Sequence, residues 1–191
     1  MDKIRITMDM FRVADWVRKQ RNLTLKEHFK VGHMSKYEKD MVSILGEFAA
    51  MEFLGLDWKS KAYTQNYSKA DNYDLIYKGK KYDVKTETMP IKHVKRLLSG
   101  DIKDDDLYGR RLIHEKQFKF INKYDLVFFG VFPRDIYGLW YPIGVISTNR
   151  IKRDFKPTLK RPDGGLYPFK ASAIATSKLT KLEFDFFKNE F

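Results

Sequence analysis

The segment DNYDLIYKGKKYDVKTE, residues 71–87, contains two short apolar runs joined at a Lys-Gly-Lys sequence. Two such runs joined at a glycine predict a β-hairpin with a two-residue loop, at either Lys78-Gly79 or Gly79-Lys80. In both registers, even-numbered residues of the first strand share a face with odd-numbered residues of the second, because side chains alternate along a strand. The segment therefore predicts a hairpin with one charged face and one apolar face.

The charged face of this hairpin would bring Asp74 of the first strand beside Asp83, Lys85 and Glu87 of the second. Asp74 lies directly across from Asp83 in one register and from Lys85 in the other. Two carboxylates about 5 Å apart repel by roughly 3 kcal/mol at an effective dielectric constant of about 20, and Lys85 or a divalent cation would relieve that repulsion. A solvated strand face would explain the same charges, and spacing alone does not decide between the two. The apolar face would carry Leu75, Tyr77, Tyr82 and Val84.

The composition narrows the classes of partner and of chemistry. The chain has 191 residues, a formal net charge of +12 and no cysteine. The positive charge favours a polyanionic partner, with nucleic acid ahead of an anionic membrane surface, although charge that only maintains solubility is the alternative. The lack of cysteine excludes disulfides, a thiol nucleophile and cysteine-ligated zinc. The start, MDKIRITMDMF, has no apolar core of a signal peptide, and no apolar run is long enough to span a membrane. We therefore expect an intracellular, cytoplasmic protein without a membrane partner.

A long helix is predicted over residues 36–54. Ser35 and Glu38 form a capping-box pattern at its start, and Gly55 is typical of the position after a helix end. At about 100° per residue, Glu47 falls at the rim of the apolar face. Glu52 falls inside that face and is the second acidic residue of this helix that could contribute to a site. The apolar face itself consists of Met41, Ile44, Leu45, Phe48 and Met51.

The remaining patterns predict a mixed α/β domain over residues 1–191. We divide it into an N-terminal extension (1–35), a core (36–132) and C-terminal strands with a basic tail (133–191). Pro90 is expected at the first position of a basic helix that Gly100 ends. Further helices are predicted near 11–20 and 108–122, and strands near 4–8, 62–68, 124–132, 138–147 and 167–175.

The acidic residues and their order resemble the PD-(D/E)XK nuclease superfamily, which has the restriction-endonuclease-like fold. The resemblance rests on Glu47 in GEFAAMEFLG, Asp74 in YDLIY, and Asp83 with Lys85 in DVK. It implies an α/β fold with an αβββαβ core and a mixed central sheet flanked by helices. The proline of the family motif is absent, since Tyr73 precedes Asp74, and Asp71 is a competitor for the role of Asp74.

The resemblance implies a Mg²⁺-dependent nuclease that hydrolyses DNA phosphodiester bonds, with Mn²⁺ as a substitute ion. Asp74, Asp83 and the carbonyl of Val84 would hold the ion, and Glu47 would bind the same or a second ion directly or through water. Lys85 would position or deprotonate the attacking water and stabilise charge on the phosphate. The lack of a helicase or ATPase part favours an endonuclease. The alternative is a catalytically silent nucleic-acid-binding or assembly protein of the same fold.

Basic clusters outside the acidic site are candidate phosphate contacts, which position nucleic acid without specifying its sequence. A solvated surface explains these clusters nearly as well. Cutting both strands with one site per chain would favour a homodimer. The candidate contacts are Lys92, Lys95, Arg96, Arg110, Arg111, Lys152, Arg153, Lys160 and Arg161.

Overall fold

The computed structural model describes residues 2–24, 34–67, 73–134 and 138–181. Within these ranges the strands are β1 Ile4–Arg5, β2 Leu75–Tyr77, β3 Lys80–Met89, β4 Arg110–His114, β5 Leu126–Pro133, β6 Leu139–Ser147, β7 Thr158–Lys160 and β8 Leu166–Ala175. The α-helices are α1 Met8–Thr24, α2 Lys36–Phe53, α3 Trp58–Thr64, α4 Ile91–Ser99, α5 Glu115–Phe118 and α6 Thr148–Asp154. Asp71 and the tail beyond residue 181 lie outside the described ranges.

The central sheet has five strands in the order β1-β6-β5-β3-β2. Strands β3 and β5 are parallel, and the other neighbouring pairs are antiparallel, so the sheet is mixed. A second sheet has the order β4-β8-β7. The expected mixed α/β class, with a mixed sheet flanked by helices, is confirmed.

Two apolar cores lie on opposite faces of the central sheet, because alternate residues of β3 and β5 point to opposite sides. Residues Tyr82 and Val84 belong to the core that α1, α2 and α3 cover. Residues Met89 and Val127 belong to the second core, which includes residues of α4, α6, β4 and β8. The first core also contains buried residues of α1, so residues 8–24 pack as part of the domain.

The predicted hairpin is confirmed, and its register is resolved. Leu75 lies opposite Tyr82, which places the two-residue loop at Lys78-Gly79. Both loop residues have positive φ, 48° and 71°, as a type I′ turn requires. Leu75 is 2% exposed and Ile76 is 45% exposed, so the faces separate as the pairing parity predicts.

Helix α2 begins and ends as its sequence predicts. The Ser35 side chain accepts a hydrogen bond from the Glu38 amide, and the Glu38 side chain accepts one from the Ser35 amide. Gly55 follows the helix with φ of 67°. Helix α4 likewise ends at Gly100, but Pro90 precedes its first residue instead of occupying it.

Two predicted elements are wrong. The strand expected near 62–68 is helix α3 up to Thr64; Asp57 caps this helix through the Ser60 amide, and Trp58 and Ala62 face inward. The helix expected over 108–122 is α-helical only over Glu115–Phe118. Residues Arg110–His114 form strand β4, where burial alternates and pairing with β8 supplies the backbone hydrogen bonds. In the described residues a single strand, β2, separates α2 from β3, where the αβββαβ order has two.

No helix in the described part of the chain combines the length and apolar character needed to cross a membrane.

Candidate active site

Asp74 lies at the open end of β2, where it replaces the next step of the strand ladder. Its Oδ2 accepts a hydrogen bond of 2.6 Å from the Val84 amide. The strand register ends at Leu75 and Tyr82, and the Asp74 amide still donates to the Tyr82 carbonyl at 2.9 Å, so at Val84 the Asp74 side chain takes the place of a backbone acceptor. The Asp74 carboxylate therefore lies at the edge of the sheet, where side chains from both faces can approach it.

Asp83 and Lys85 lie beside this edge, on the same face of β3. Lys85 Nζ donates to Asp83 Oδ1 at 2.6 Å, and Asp83 is only 5% exposed. Burial by itself lowers the pKa of Lys85, but the charges of Asp83 and Asp74 outweigh burial and raise that pKa. Lys85 therefore remains protonated, and in this arrangement it serves as a fixed positive charge instead of a base.

Glu47 reaches the site from α2, on the other side of the sheet. Its neighbour Gly46 lies so close to β3 that an added Cβ would overlap the Thr86 side chain. Arg21 of α1 donates to both oxygens of Glu47, at 3.1 Å and 2.8 Å. Burial would raise the pKa of Glu47, but Arg21, with smaller contributions from Lys61 and Lys85, lowers it. Glu47 is therefore an ionised carboxylate held in place by an arginine.

The rival acid of the same helix lies elsewhere. Glu52 Oε2 accepts a hydrogen bond of 3.0 Å from Trp58 Nε1, and the residue is exposed. Only Glu47 of these two glutamates contributes to the electrostatic environment of Asp74. The position of Glu47 at the rim of the apolar face, in contrast to that of Glu52, is what brings it to the sheet edge.

The electrostatics of the cluster centre on Asp74. Burial raises its pKa well above the usual value, and repulsion from Glu47 and Asp83 adds to this, while Lys85 and Lys61 act in the opposite direction. The neighbouring cations therefore do not fully compensate the negative charge of an ionised Asp74. The surrounding charges are three carboxylates, Glu47, Asp74 and Asp83, and three cations, Arg21, Lys61 and Lys85.

A divalent cation fits this donor set. Among the described residues no group of three or more His, Cys, Asp or Glu side chains is arranged to hold a metal ion. Mg²⁺, however, is commonly held by one or two carboxylates together with waters and substrate phosphate oxygens. Asp74 and Asp83 offer two carboxylates. The Val84 carbonyl points to the same strand edge as the Val84 amide, which donates a hydrogen bond to Asp74. Burial and the charges of Glu47 and Asp83 raise the pKa of Asp74, and a bound cation would stabilise its ionised form.

Arg21 and Lys61 are site residues that sequence reasoning missed. Both lie on helices that precede the hairpin, and neither belongs to a motif with a fixed spacing to Asp74. Tyr124, which precedes β5, also contributes to the electrostatic environment of Lys85.

The predicted nucleic-acid contacts are dispersed over the surface. Lys92 and Lys95 are exposed on α4, and Lys160 is exposed at the end of β7. Lys152 is half-buried on α6. The neighbouring arginines have carboxylate partners within the chain: Arg96 with Asp106 at 2.7 Å, Arg153 with Asp154 at 2.6 Å and Arg161 with Asp163 at 2.5 Å.

Arg110 and Arg111 do not lie on a helix beside the site, as the sequence suggested, but on strand β4. Arg111 has 0% exposure, and its guanidinium donates to Glu87 Oε2 at 2.8 Å and to the Tyr108 carbonyl. Both terminal nitrogens of Arg111 are engaged by these partners inside the protein, so Arg111 is removed from the candidate interface. Arg110 is half-buried and lies 3.4 Å from Asp105.

No protein-family model matches this chain, and neither the curated proteins nor the solved structures include a significant match.

Proposed function

We propose that this protein is a Mg²⁺-dependent nuclease of the PD-(D/E)XK type that hydrolyses DNA phosphodiester bonds as an endonuclease. One observation supports this above all others. Asp74, held by the Val84 amide at an open strand edge, lies beside the Asp83–Lys85 pair and within the electrostatic reach of Glu47. These are the four residues on which the resemblance rests.

The order of elements supports the proposal in part. A helix that carries Glu47 precedes a hairpin that carries Asp74, Asp83 and Lys85, and β3 and β5 are parallel strands connected through α4 and β4. This order resembles that of a restriction-endonuclease-like core, except that the described residues do not include the first strand of that core. The restriction-endonuclease-like topology is therefore part of the proposal.

Asp74 and Asp83, with the Val84 carbonyl, would hold Mg²⁺, and Glu47 would contact the same or a second ion directly or through water. When bound, Mg²⁺ supplies Lewis-acid stabilisation of the phosphate and a lower pKa for an attacking water. Mn²⁺, which prefers similar oxygen ligands, would substitute. Arg21 holds the Glu47 carboxylate in a fixed orientation through two hydrogen bonds.

Lys85 contributes positive charge where negative charge develops on the phosphate. Its raised pKa disfavours a role as the base that deprotonates water, because an ammonium that retains its proton cannot accept another. Its three N–H donors can orient the water and stabilise the phosphate oxygens. Of the two roles that the resemblance implies, the electrostatic one is better supported.

The net charge of +12 supports a polyanionic substrate. Lys92, Lys95 and Lys160 are exposed and would contact phosphates, with Lys152 in a similar role. Arg96, Arg153 and Arg161 would contribute less, because each would first have to leave a carboxylate of its own chain.

A second candidate function is nucleic-acid binding without turnover. The specific observation in its favour is that Arg21 occupies both oxygens of Glu47 and that Lys85 pairs with Asp83, so that the cluster carries equal numbers of carboxylates and cations. A site that is balanced by its own side chains has less need of a metal ion.

Plasmid cleavage separates the two candidates. We expect the wild-type protein to nick or linearise supercoiled plasmid in Mg²⁺ and not in EDTA. Lys85→Met should abolish cleavage, while Lys80→Met, a matched change at an exposed lysine of the same strand, should retain it. Tight binding of plasmid with no cleavage in either Mg²⁺ or Mn²⁺ would favour the silent function. Linear, nicked, single-stranded, four-way and RNA substrates then define the class that is cut.

A further inference from the structure

Lys61 lies on the face of α3 that packs against α2. The Trp58 ring stacks on Phe48 of α2 with 5.0 Å between ring centroids, and Ala62 is 1% exposed. Residues three positions apart share a helix face, so Lys61 lies on the same side of α3 as Trp58. Phe48 directly follows Glu47, and this contact therefore places Lys61 close to the acidic end of the site.

The Lys61 ammonium is buried, and within the described residues it has no hydrogen-bond partner. Its charge nevertheless acts on the acidic cluster, because it lowers the pKa of both Glu47 and Asp74. Three of the four oxygens of these two carboxylates already accept hydrogen bonds: both oxygens of Glu47 accept from Arg21, and one oxygen of Asp74 accepts from the Val84 amide. The Lys61 ammonium thus combines unused hydrogen-bond donors with a charge that the acidic cluster attracts.

A buried ammonium is stable only when its charge and its N–H groups are compensated. A phosphate oxygen provides both forms of compensation, since lysine binds phosphate as a compact point charge. Lys85 belongs to the β3 face that lies on the second core, whereas α3 packs over the first core. The two lysines therefore approach the Asp74 edge from opposite sides of the sheet.

We propose that Lys61 binds a non-bridging oxygen of the substrate phosphate and forms, with Lys85, a pair of cationic contacts on either side of it. This inference rests on the proposed function and adds a phosphate-binding residue to the site. Lys61 would be a catalytic residue in the strict sense, because its ammonium would touch the reacting group.

The test compares Lys61→Met with Lys59→Met. Lys59 is on the same helix, but its side chain is 53% exposed and pairs with Asp9, so it serves as the matched control. The affinity for a short fluorescent DNA duplex is measured by anisotropy in Ca²⁺ over a series of salt concentrations, and cleavage by the same proteins is measured in Mg²⁺. Thermal melting establishes that each variant is folded.

We expect Lys61→Met to weaken binding and to reduce the slope of log K against log salt by about 0.9, the contribution of one phosphate contact to duplex DNA. Lys59→Met should keep the wild-type slope. Lys61→Arg should restore the slope because it retains a cationic donor. If Lys61→Met does not fold, Lys61→Gln takes its place with the same expectation.

An unchanged salt slope in folded Lys61→Met would overturn the inference, whether or not the wild-type protein cleaves DNA. Wild-type binding without cleavage, together with a reduced slope in Lys61→Met, would contradict the proposed function and leave the phosphate contact supported. A wild-type protein that bound no duplex would contradict both. A role limited to neutralising the acidic cluster would lower the melting temperature without changing the slope.

Discussion

Strand β3 carries two ion pairs on one face, and they differ in where the cation comes from. Lys85 lies two residues from Asp83 on the same strand, with 2.6 Å between Nζ and Oδ1. Arg111 reaches Glu87 from β4, with 2.8 Å between Nη1 and Oε2 and no exposure of the arginine side chain. Glu87 also accepts a hydrogen bond from the Leu112 amide at 3.3 Å.

The difference separates a pair that connects two sheets from a pair that lies at an open edge. Arg111 and Glu87 join the second sheet to the central one, so their interaction is part of the packing between layers. The ion pair of Asp83 and Lys85 lies within a single strand. In the described residues no strand pairs with β3 beyond Tyr82 on the β2 side, and Asp74 occupies that edge. The same charge pattern therefore stabilises the fold at one position and remains available for chemistry at the other.

The largest expected effect comes from breaking the pair between the sheets. Arg111→Met should lower the free energy of unfolding by roughly 3–5 kcal/mol, because Glu87 would lose its partner in a largely enclosed position. Urea denaturation measures this loss. Adding Glu87→Gln to Arg111→Met should recover part of it, since no unpaired charge then remains. A loss below about 1 kcal/mol in the single variant would mean that Arg111 does not connect the layers.

Replacing either Asp83 or Glu87 with its amide tests whether the first pair serves cleavage and the second serves stability. Asp83→Asn should reduce the cleavage rate roughly 10²–10³-fold, comparable to the loss of one electrostatic contact at a reacting centre. It should lower stability less than Arg111→Met does, because Asp74 also compensates the charge of Lys85. Glu87→Gln should lower stability and leave the rate of the folded protein close to that of the wild type. Single-turnover cleavage and urea denaturation measure the two quantities. Equal rate losses in both variants would contradict the separation.

The acidic residues of the candidate site and Lys85 could be predicted from the sequence, whereas the partners that other segments supply could not. The face shared by Asp74, Asp83 and Lys85 follows from hairpin parity, which depends only on a two-residue loop that Gly79 favours. Glu47 was assigned through the resemblance, and its angular position on a helix whose start is fixed by Ser35 and Glu38 agrees with that assignment. Local rules were sufficient for these residues, because each rule acts over a few positions of the chain.

The partners of these carboxylates could not be predicted, because they come from distant segments. Arg111 was expected on a helix, since its segment has apolar residues at spacings that also fit helical periodicity, whereas β4 is fixed by pairing with β8 about 60 residues later. Arg21 and Lys61 reach the site only through the packing of α1 and α3 on α2. No local pattern encodes such contacts.

Moving α2 away from β3 should have a smaller effect on stability and on the cleavage rate. Gly46→Ala places a Cβ where the Thr86 side chain lies, and Thr86 is itself held by a 3.2 Å hydrogen bond from Trp140 Nε1. Overpacking of this kind typically costs about 1–3 kcal/mol, and the shift would displace Glu47 and slow cleavage. Gly138→Ala is the control, because nothing lies within 4 Å of its added Cβ. Unchanged cleavage in a folded Gly46→Ala protein would show that the position of Glu47 is not critical.

The smallest expected effect is a pH dependence that distinguishes Asp74 from an ordinary surface carboxylate. Burial, with the charges of Glu47 and Asp83, raises the pKa of Asp74 in the folded protein. Above about pH 4 the unfolded chain has lost this proton while the folded protein retains it. Unfolding then releases a proton, so stability falls as pH rises through the window up to the folded pKa, with a slope of at most about 1.4 kcal/mol per pH unit.

Asp74→Asn should remove this slope when urea denaturation is measured in EDTA from pH 4 upward. Asp15→Asn is the matched control, because hydrogen bonds from Lys19 and Arg18 lower the pKa of Asp15, and its contribution to stability is lost only as pH falls below about 4. The control should therefore keep the wild-type slope in the measured window. If Asp74→Asn also kept that slope, Asp74 would be fully compensated by Lys85 and Lys61, and the main argument for a cation at this edge of β3 would be lost.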